Sequence, residues 1–146
     1  MSNRLRVFVS SVQKELEDER LIVQNLLNTD PFLAAHCLPV LYEFEPASPE
    51  TALEGCLKAL DSSQVYVLII GTSYGTKAGA LSITHSEYRR AKEVNLPILA
   101  FIRGDRNVQR EEGTSALLRE LDADQFKYKR FGNVVELQQQ VRAALV

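Results

Sequence analysis

The sequence predicts an α/β fold: a three-layer sandwich in which a five-stranded parallel sheet has helices on both faces. Five short β-rich segments alternate along the chain with five amphipathic segments, as in parallel strands joined by right-handed helical crossovers. Residues 64–70 are almost continuously apolar, which is typical of a strand buried on both faces. With 146 residues, 45% of them hydrophobic and 25% charged, the chain has the size and composition of one globular domain.

The first strand, the first helix and the second strand are predicted from apolar spacing. Residues 5–9 form a short β-rich run. After it, apolar side chains recur at helical spacing between Val12 and Leu27, and Ser11 is the expected N-cap. The apolar residues 38–44 predict the second strand.

Turn and capping residues delimit the middle of the chain. Residues 48–50, Ser-Pro-Glu, are expected to open the second helix with a capping hydroxyl, a proline and an acid. Residues 64–70 predict the central strand, which ends at Gly71. Thr84 followed three residues later by Glu87 is a capping box, so the third helix is expected to start there.

The last part of the chain supplies the fourth and fifth units. Residues 98–102 predict a strand, residues 115–121 a helix and residues 126–128 a short strand. Asn133 is the expected N-cap of the last helix. With five such units, the favoured strand order is the flavodoxin-like order 2-1-3-4-5.

This strand order predicts where a ligand binds. Strands one and three are neighbours in it, and ligands bind beyond their carboxyl ends. Ser10 and Ser11 follow the first strand, Gly71 and Tyr74 follow the third, and Glu87 stands at the start of the third helix. We therefore expect these five residues to line one crevice.

Several catalytic motifs are excluded. Residues 71–75, Gly-Thr-Ser-Tyr-Gly, match the G-x-S-x-G nucleophile elbow, but in that motif the helix begins at the serine itself. The only histidine after Ser73 is His85, and no acid lies between them to complete a triad. Receiver domains need acidic residues after the first strand and an aspartate after the third, which this chain lacks. Neither a Walker A sequence nor a G-x-G-x-x-G motif occurs.

Composition limits the partners. Seventeen basic and nineteen acidic residues give a formal charge of −2, without the basic excess typical of nucleic-acid binders. The two cysteines, Cys37 and Cys56, form neither a disulfide framework nor a metal-ligand spacing, so we expect no metal. Apolar runs are far shorter than the ~20 residues that span a bilayer. These features favour a cytoplasmic protein without a membrane partner.

Residues 126–131, Phe-Lys-Tyr-Lys-Arg-Phe, interleave aromatic and basic side chains. This pattern has two interpretations, a nucleic-acid surface and an edge strand of the sheet. We favour the edge strand, because lysines at an edge discourage pairing with another chain.

A set of residues spread over most of the chain supports a resemblance to a known family. They are Arg6-Val7-Phe8-Val9-Ser10-Ser11, Leu16, Glu19, Arg20, Gly71-Thr72-Ser73-Tyr74-Gly75, Thr84, Glu87, Tyr88, Ala91, Pro97 and Phe101. In order and spacing they resemble the TIR-like domain of unknown function that stands N-terminal to NTPase or regulatory modules in bacterial proteins. The resemblance implies that residues 1–146 form a single TIR-like domain, and the habit of the family favours the N-terminal part of a larger protein over a complete protein.

The resemblance also implies a chemistry. The family is similar to TIR domains that cleave NAD and to nucleoside 2-deoxyribosyltransferases, which have a functional glutamate after the third strand. Glu87 takes that position here, where a carboxylate would stabilise or attack an oxocarbenium-like centre. The amides around Ser10 and Ser11, expected at a helix N-terminus, would cradle a phosphate, and Tyr74 would stack on a base. No cofactor is expected; NAD enters only as a substrate.

Two functions remain open from the sequence. One is a signalling or defence domain that binds a nucleotide-like ligand and, in its enzymatic form, cleaves the N-glycosidic bond of NAD or a nucleoside. The other is a non-catalytic module that assembles its own copies or an attached NTPase or regulatory domain. Glu87 divides them, because a capping box requires Glu or Gln there without any chemistry.

Overall fold

A parallel sheet organises the part of the chain that the structure describes. The structure is a computed structural model, and it describes residues 4–44, 47 and 50–146. The strands are, in chain order, β1 (Leu5–Ser10), β2 (Cys37–Val40), β3 (Val65–Ile70), β4 (Lys77–Ala78), β5 (Leu81–Ser82), β6 (Ile98–Arg103) and β7 (Tyr128–Phe131). The main sheet has the order β2-β1-β3-β6-β7, with each neighbouring pair parallel. The predicted flavodoxin-like order is therefore confirmed.

Helices cover both faces of this sheet. They are α1 (Glu17–Thr29), α2 (Pro31–His36), α3 (Ala52–Asp61), α4 (Ile83–Glu93), α5 (Glu112–Ala123) and α6 (Val134–Leu145). One core packs α1 and α6 against the sheet, and the other packs α3, α4 and α5 against the opposite face. No helix of the described residues is both long enough and apolar enough to cross a membrane.

The central strand β3 supplies both cores. Val67 and Ile69 lie in the core beneath α1 and α6, and Tyr66, Leu68 and Ile70 lie in the other. Successive side chains of a strand point to opposite faces, so a strand covered on both sides must be apolar at every position. The continuous apolar run of the sequence has this cause.

The first helix starts later than its expected cap. The backbone first makes a turn, in which Leu16 N–H donates to the Val12 carbonyl at 3.0 Å. Helix α1 then begins at Glu17, and no side chain caps it. The Ser11 hydroxyl instead accepts a hydrogen bond from Arg20. The prediction of Ser11 as N-cap was wrong, because a buried arginine uses its oxygen.

The segment between β2 and α3 also differs from its prediction. The second strand ends at Val40 and is followed by a 3-10 turn, Tyr42–Phe44, rather than continuing to residue 44. A short helix, α2, precedes the strand, with the Asp30 carboxylate accepting from two amides at its start. The predicted cap Ser48 lies outside the described residues, and Thr51 caps α3 by accepting from Glu54 N–H at 3.2 Å.

Helix α4 has a different N-cap from the predicted one. A two-stranded antiparallel hairpin, β4 and β5, precedes this helix. Its last residue, Ser82, is the N-cap, and the hydroxyl accepts from His85 N–H at 3.1 Å. The predicted capping box of Thr84 and Glu87 was therefore wrong. Glu87 lies beyond the capping position, so capping does not explain its presence.

The C-terminal units follow the prediction with shifted bounds. Helix α5 extends beyond residues 115–121 at both ends, and the last strand is displaced to Tyr128–Phe131. That strand lies at the edge of the sheet, as expected. The Asn133 side chain accepts from Glu136 N–H at 2.9 Å, which confirms it as the cap of α6.

Candidate functional site

The carboxyl ends of β1 and β3 open into a cavity of about 810 Å³. The two strands are neighbours, with Ser10 in register with Leu68. The cavity wall combines the residues after β1 with parts of α1, the 3-10 turn, α3, the loop after β3 and α4. This is the crevice that the strand order predicts, and a cavity of this volume has the size of a small-molecule site.

Glu87 lies on the wall of this cavity. It belongs to the second turn of α4 and is only 4% exposed. Its Oε1 accepts a hydrogen bond from the Ser10 hydroxyl at 2.6 Å. Ser10, the last residue of β1, is buried and does not line the cavity. The first strand therefore holds the Glu87 carboxylate through this hydrogen bond. The predicted meeting of Ser10 and Glu87 is present in the structure.

Burial dominates the ionisation of Glu87. It raises the pKa of this carboxyl to about 7, although hydrogen bonds from Ser10 and Cys56 and the charge of Arg20 act in the opposite direction. A buried carboxylate without a direct cationic partner is costly in its charged form. At neutral pH the group therefore exists in both protonation states.

Two further polar groups surround this carboxylate. Burial and the charge of Glu87 raise the pKa of the Cys56 thiol far above its ordinary value, so the thiol stays protonated and serves as a donor. The fully buried Tyr66 hydroxyl is close enough for the charge of Glu87 to raise its pKa, after burial itself. Among the described residues, that hydroxyl has no hydrogen-bond partner of good geometry.

An arginine forms another part of the wall. Arg20 is 2% exposed and donates from Nε to Glu43 Oε2 at 2.6 Å, in a two-pronged ion pair. Its Nη1 also donates to the Ser11 hydroxyl at 2.8 Å. Burial opposes ionisation of Glu43, but hydrogen bonds and charge from Arg20 hold its pKa below the ordinary value. Glu43 is thus held as a carboxylate beside the cavity by its ion pair with Arg20.

A second carboxylate closes the end of β3. Glu15 accepts from the backbone N–H groups of Thr72 and Ser73, from the Thr72 hydroxyl, and from Arg103 Nη2 at 2.8 Å. Gly71 contacts this carboxylate: a Cβ there would lie 2.5 Å from Glu15 Oε1. A side chain at residue 71 would force the Glu15 carboxylate to shift, and Gly71 itself does not line the cavity.

Tyr74 lies away from the cavity, which corrects its predicted position in the crevice. Its ring packs against Gly113, where a Cβ would lie within 2.5 Å of the ring. Its hydroxyl is 2.7 Å from His85 Nδ1, to which it is hydrogen-bonded. The aromatic ring fills the contact between the loop after β3 and α5. In this position the ring does not line the cavity.

The predicted site residues thus separate into groups. Ser11 and Glu87 line the cavity, and Ser10 supports Glu87 from behind. The expected phosphate cradle of helix N-terminal amides at Ser10 and Ser11 is absent, because α1 begins only at Glu17. Sequence reasoning also missed Glu15 and Cys56.

The cavity wall thus carries a carboxyl group, that of Glu87, whose pKa of about 7 lies near neutral pH. A carboxylate of this kind can stabilise a developing cation, attack it, or transfer a proton. Among the described residues, no group of three or more His, Cys, Asp or Glu side chains could hold a metal ion. Glu87 is the carboxylate of the cavity wall whose pKa burial raises.

Solved structures support the TIR-like fold. The TIR domains of the activated Roq1 resistosome, which directly recognises the pathogen effector XopQ, match with a TM-score of 0.65 and 11% identity, over 97% of this chain and 99% of that one. The CMP N-glycosidase BcmB of Clostridium botulinum matches with a TM-score of 0.61 and 15% identity, over 95% and 98%. A flavoprotein of Thermotoga maritima matches with a TM-score of 0.55 and 15% identity, over 99% and 36%.

The comparison with curated proteins gives no significant match. A family model does match, over residues 6–146, and it describes a domain of unknown function, DUF4062. Its span includes every strand of the main sheet from the second residue of β1 onward, together with all of the cavity wall. The TIR-like resemblance of the sequence is thereby confirmed, and the chain belongs to the DUF4062 family.

Proposed function

We propose that the cavity binds a nucleotide-like ligand and that Glu87 acts in cleaving its N-glycosidic bond. The observation that supports this most is the position of Glu87. It is a buried carboxylate on the wall of an 810 Å³ cavity, held by the Ser10 hydroxyl and free of any capping role. Strongly perturbed carboxylates in cavities are typical of functional sites.

The proposed reaction breaks the bond between the anomeric carbon and the base nitrogen. The electron pair leaves with the base, and positive charge develops on the anomeric carbon and ring oxygen. The Glu87 carboxylate stabilises this charge or adds to the anomeric carbon. Water then supplies hydroxide to the anomeric carbon, and its remaining proton is released or taken up by the base. The products are a free base and a sugar with a free anomeric hydroxyl.

The fold is shared with an enzyme of this reaction class. One neighbour is an N-glycosidase that acts on CMP, and others are TIR domains. Low sequence identity limits these comparisons to the fold, so the proposal depends on the geometry around Glu87. The substrate we propose is NAD or a nucleoside derivative.

Base release tests the proposal. We would measure nicotinamide from NAD, cytosine from CMP and free bases from deoxynucleosides, with wild type and with Glu87→Gln. The domain would also be clustered on beads, because some sites form only on assembly. Turnover by wild type and its loss in Glu87→Gln support the proposal. Equal turnover by both proteins, or no turnover even after clustering, would contradict it.

The second candidate function is an assembly module without catalysis. It is favoured by the similarity to TIR domains that were solved within a resistosome. Here the partners are copies of this chain or an attached NTPase or regulatory domain. Weak contacts would become effective only when such a partner concentrates the copies. Light scattering over a concentration series tests this: we expect monomers at micromolar concentration, and a tight dimer would contradict a switchable assembly.

A further inference from the structure

The Glu15 carboxylate is held entirely by groups that recognise anions. Thr72 N–H donates to Oε2 at 2.8 Å, Ser73 N–H donates to Oε1 at 3.0 Å, and Arg103 Nη2 donates to Oε2 at 2.8 Å. The Thr72 hydroxyl adds a fourth donor. Although partial burial opposes ionisation, these hydrogen bonds and the Arg103 charge hold the pKa of Glu15 below its ordinary value. Two adjacent amides, a hydroxyl and a guanidinium also form the donor set that binds a phosphate.

These donors are positioned without the help of Glu15. Arg103 is also fixed by Glu19, whose Oε2 accepts from Nη1 at 2.9 Å. Arg110 donates to the Gly71 carbonyl at 2.6 Å and to the Arg103 carbonyl at 2.8 Å. The loop after β3 and the end of β6 are therefore tied together by other contacts. The donor set would persist if the Glu15 side chain rotated away.

Glu15 can leave without a rearrangement of the core. It lies in the turn before α1, and its side chain is 14% exposed at the cavity wall. Ser73, one of its donors, also lines the cavity. The carboxylate thus separates the donor set from the space in which a ligand would bind, and rotation of one side chain would join the two.

We propose that Thr72, Ser73 and Arg103 form an oxyanion subsite of the cavity, which Glu15 occupies and which a ligand's phosphate group takes when Glu15 rotates out. That the phosphate belongs to a nucleotide-like ligand rests on the proposed function. The existence of the subsite follows from the donor geometry alone. The Glu15 carboxylate then competes with the ligand for these donors. A phosphate group can replace it because the phosphate forms the same charge-assisted hydrogen bonds, whereas an unphosphorylated ligand cannot. Glu15 thereby sets a preference for nucleotides over nucleosides.

Inorganic phosphate is the direct probe. Thermal melts and calorimetry at constant ionic strength would compare wild type, Glu15→Ala, Glu15→Ala/Arg103→Gln and Glu17→Ala. The last is a matched control, since Glu17 is an exposed acid two residues away. We expect Glu15→Ala to bind phosphate at least tenfold more tightly than wild type and Glu17→Ala, with saturable stabilisation. The Arg103→Gln change should remove this gain.

Ligand pairs identify the source of the phosphate. AMP should gain affinity over adenosine in Glu15→Ala, while adenosine itself binds as in wild type. If AMP gains nothing where inorganic phosphate does, the subsite takes free phosphate rather than that of a nucleotide, and the proposed link to the cavity is wrong.

Two results would overturn the proposed subsite. Equal phosphate binding by Glu15→Ala and Glu17→Ala would overturn the subsite. If Glu15→Ala does not fold, phosphate should restore its folding, and Glu15→Gln, a weaker competitor, should still gain phosphate affinity; failure of both also overturns it. Phosphate binding is measured here without any base release, so a failure of the catalytic proposal is distinguishable from a failure of the subsite.

Discussion

Glu87 and Glu120 lie on the neighbouring helices α4 and α5, yet their surroundings are opposite. Glu120 accepts hydrogen bonds from Arg89 at 2.8 Å, from Lys92 at 2.9 Å and from His85 at 3.0 Å. Despite the opposing effect of partial burial, these groups lower the pKa of Glu120 to about 2. Glu87 has only hydroxyl and thiol donors, and burial raises its pKa to about 7.

The difference separates a structural carboxylate from one that we interpret as functional. Glu120 is matched by cations and ties α4 to α5. Among the residues that the structure describes, Glu87 has no direct cationic partner. Its charge makes the folded state less stable, because burying a charge without a partner is unfavourable. An arrangement of that kind serves a chemical purpose more readily than a structural one. The same Glu→Gln substitution at each of the two positions should therefore have different effects.

The largest expected effect is on catalysis at Glu87. Glu87→Gln should reduce base release by ~100-fold to ~1000-fold, because a neutral amide cannot stabilise an oxocarbenium ion. Glu120→Gln is the matched control: the same change on the next helix should leave base release per folded molecule within a few-fold of wild type. A larger loss in Glu120→Gln than in Glu87→Gln would reverse the assignment of the two carboxylates.

The second effect is on the pH dependence of stability. The folded-state pKa of Glu87 is raised above 4.5, so its contribution to stability is fully present below pH 4.5 and is lost as the pH rises through 7. Glu87→Gln removes this dependence. Relative to wild type, the variant should gain on the order of 3 kcal/mol in unfolding free energy between pH 4.5 and pH 8.

Urea unfolding of both proteins at several pH values measures this gain. Glu54→Gln provides a control for general pH effects, since Glu54 is an exposed acid on α3 that does not line the cavity. A difference between Glu87→Gln and wild type that stays constant with pH would contradict the raised pKa.

Glu120→Gln should lower stability by about 1–3 kcal/mol at neutral pH, because it weakens charge-assisted hydrogen bonds to a buried histidine and two cations. Its pKa is lowered, so the stability that Glu120 contributes is present above pH 4.5 and is lost as the pH falls towards 2. Thermal melts should therefore show the difference between variant and wild type shrinking in acid. A difference that grows in acid would be inconsistent with this ion-pair network.

The smallest expected effect is at Ser10. Ser10→Ala removes the hydroxyl that favours the charged form of Glu87, and the pKa of Glu87 should rise by about one unit. The acidic limb of the pH–rate profile should move to higher pH by the same amount. Ser63→Ala is the control, because this buried hydroxyl donates to the Ala59 carbonyl and lies outside the cavity wall. An unchanged profile in Ser10→Ala would mean that Ser10 only packs.

The sequence by itself determined the sheet and much of the site. Apolar spacing and the residue type of a helix cap are local properties of the sequence, so the apolar run of β3 and the cap at Asn133 could be predicted directly. Strand order then placed Ser10 beside Glu87, since adjacent parallel strands end at the same edge. The family resemblance pointed to the same glutamate.

The tertiary structure alone decided which polar groups serve which neighbours. Ser11 and Thr84 each have the residue type of a helix cap, but Ser11 accepts from Arg20, and a hairpin places Ser82 before α4 instead. Glu15 accepts from amides 57 and 58 residues away in sequence. Hydrogen bonds of this kind depend on three-dimensional proximity, which local propensity does not encode. The pKa of Glu87 has the same origin, because burial and missing cations are properties of the packed fold.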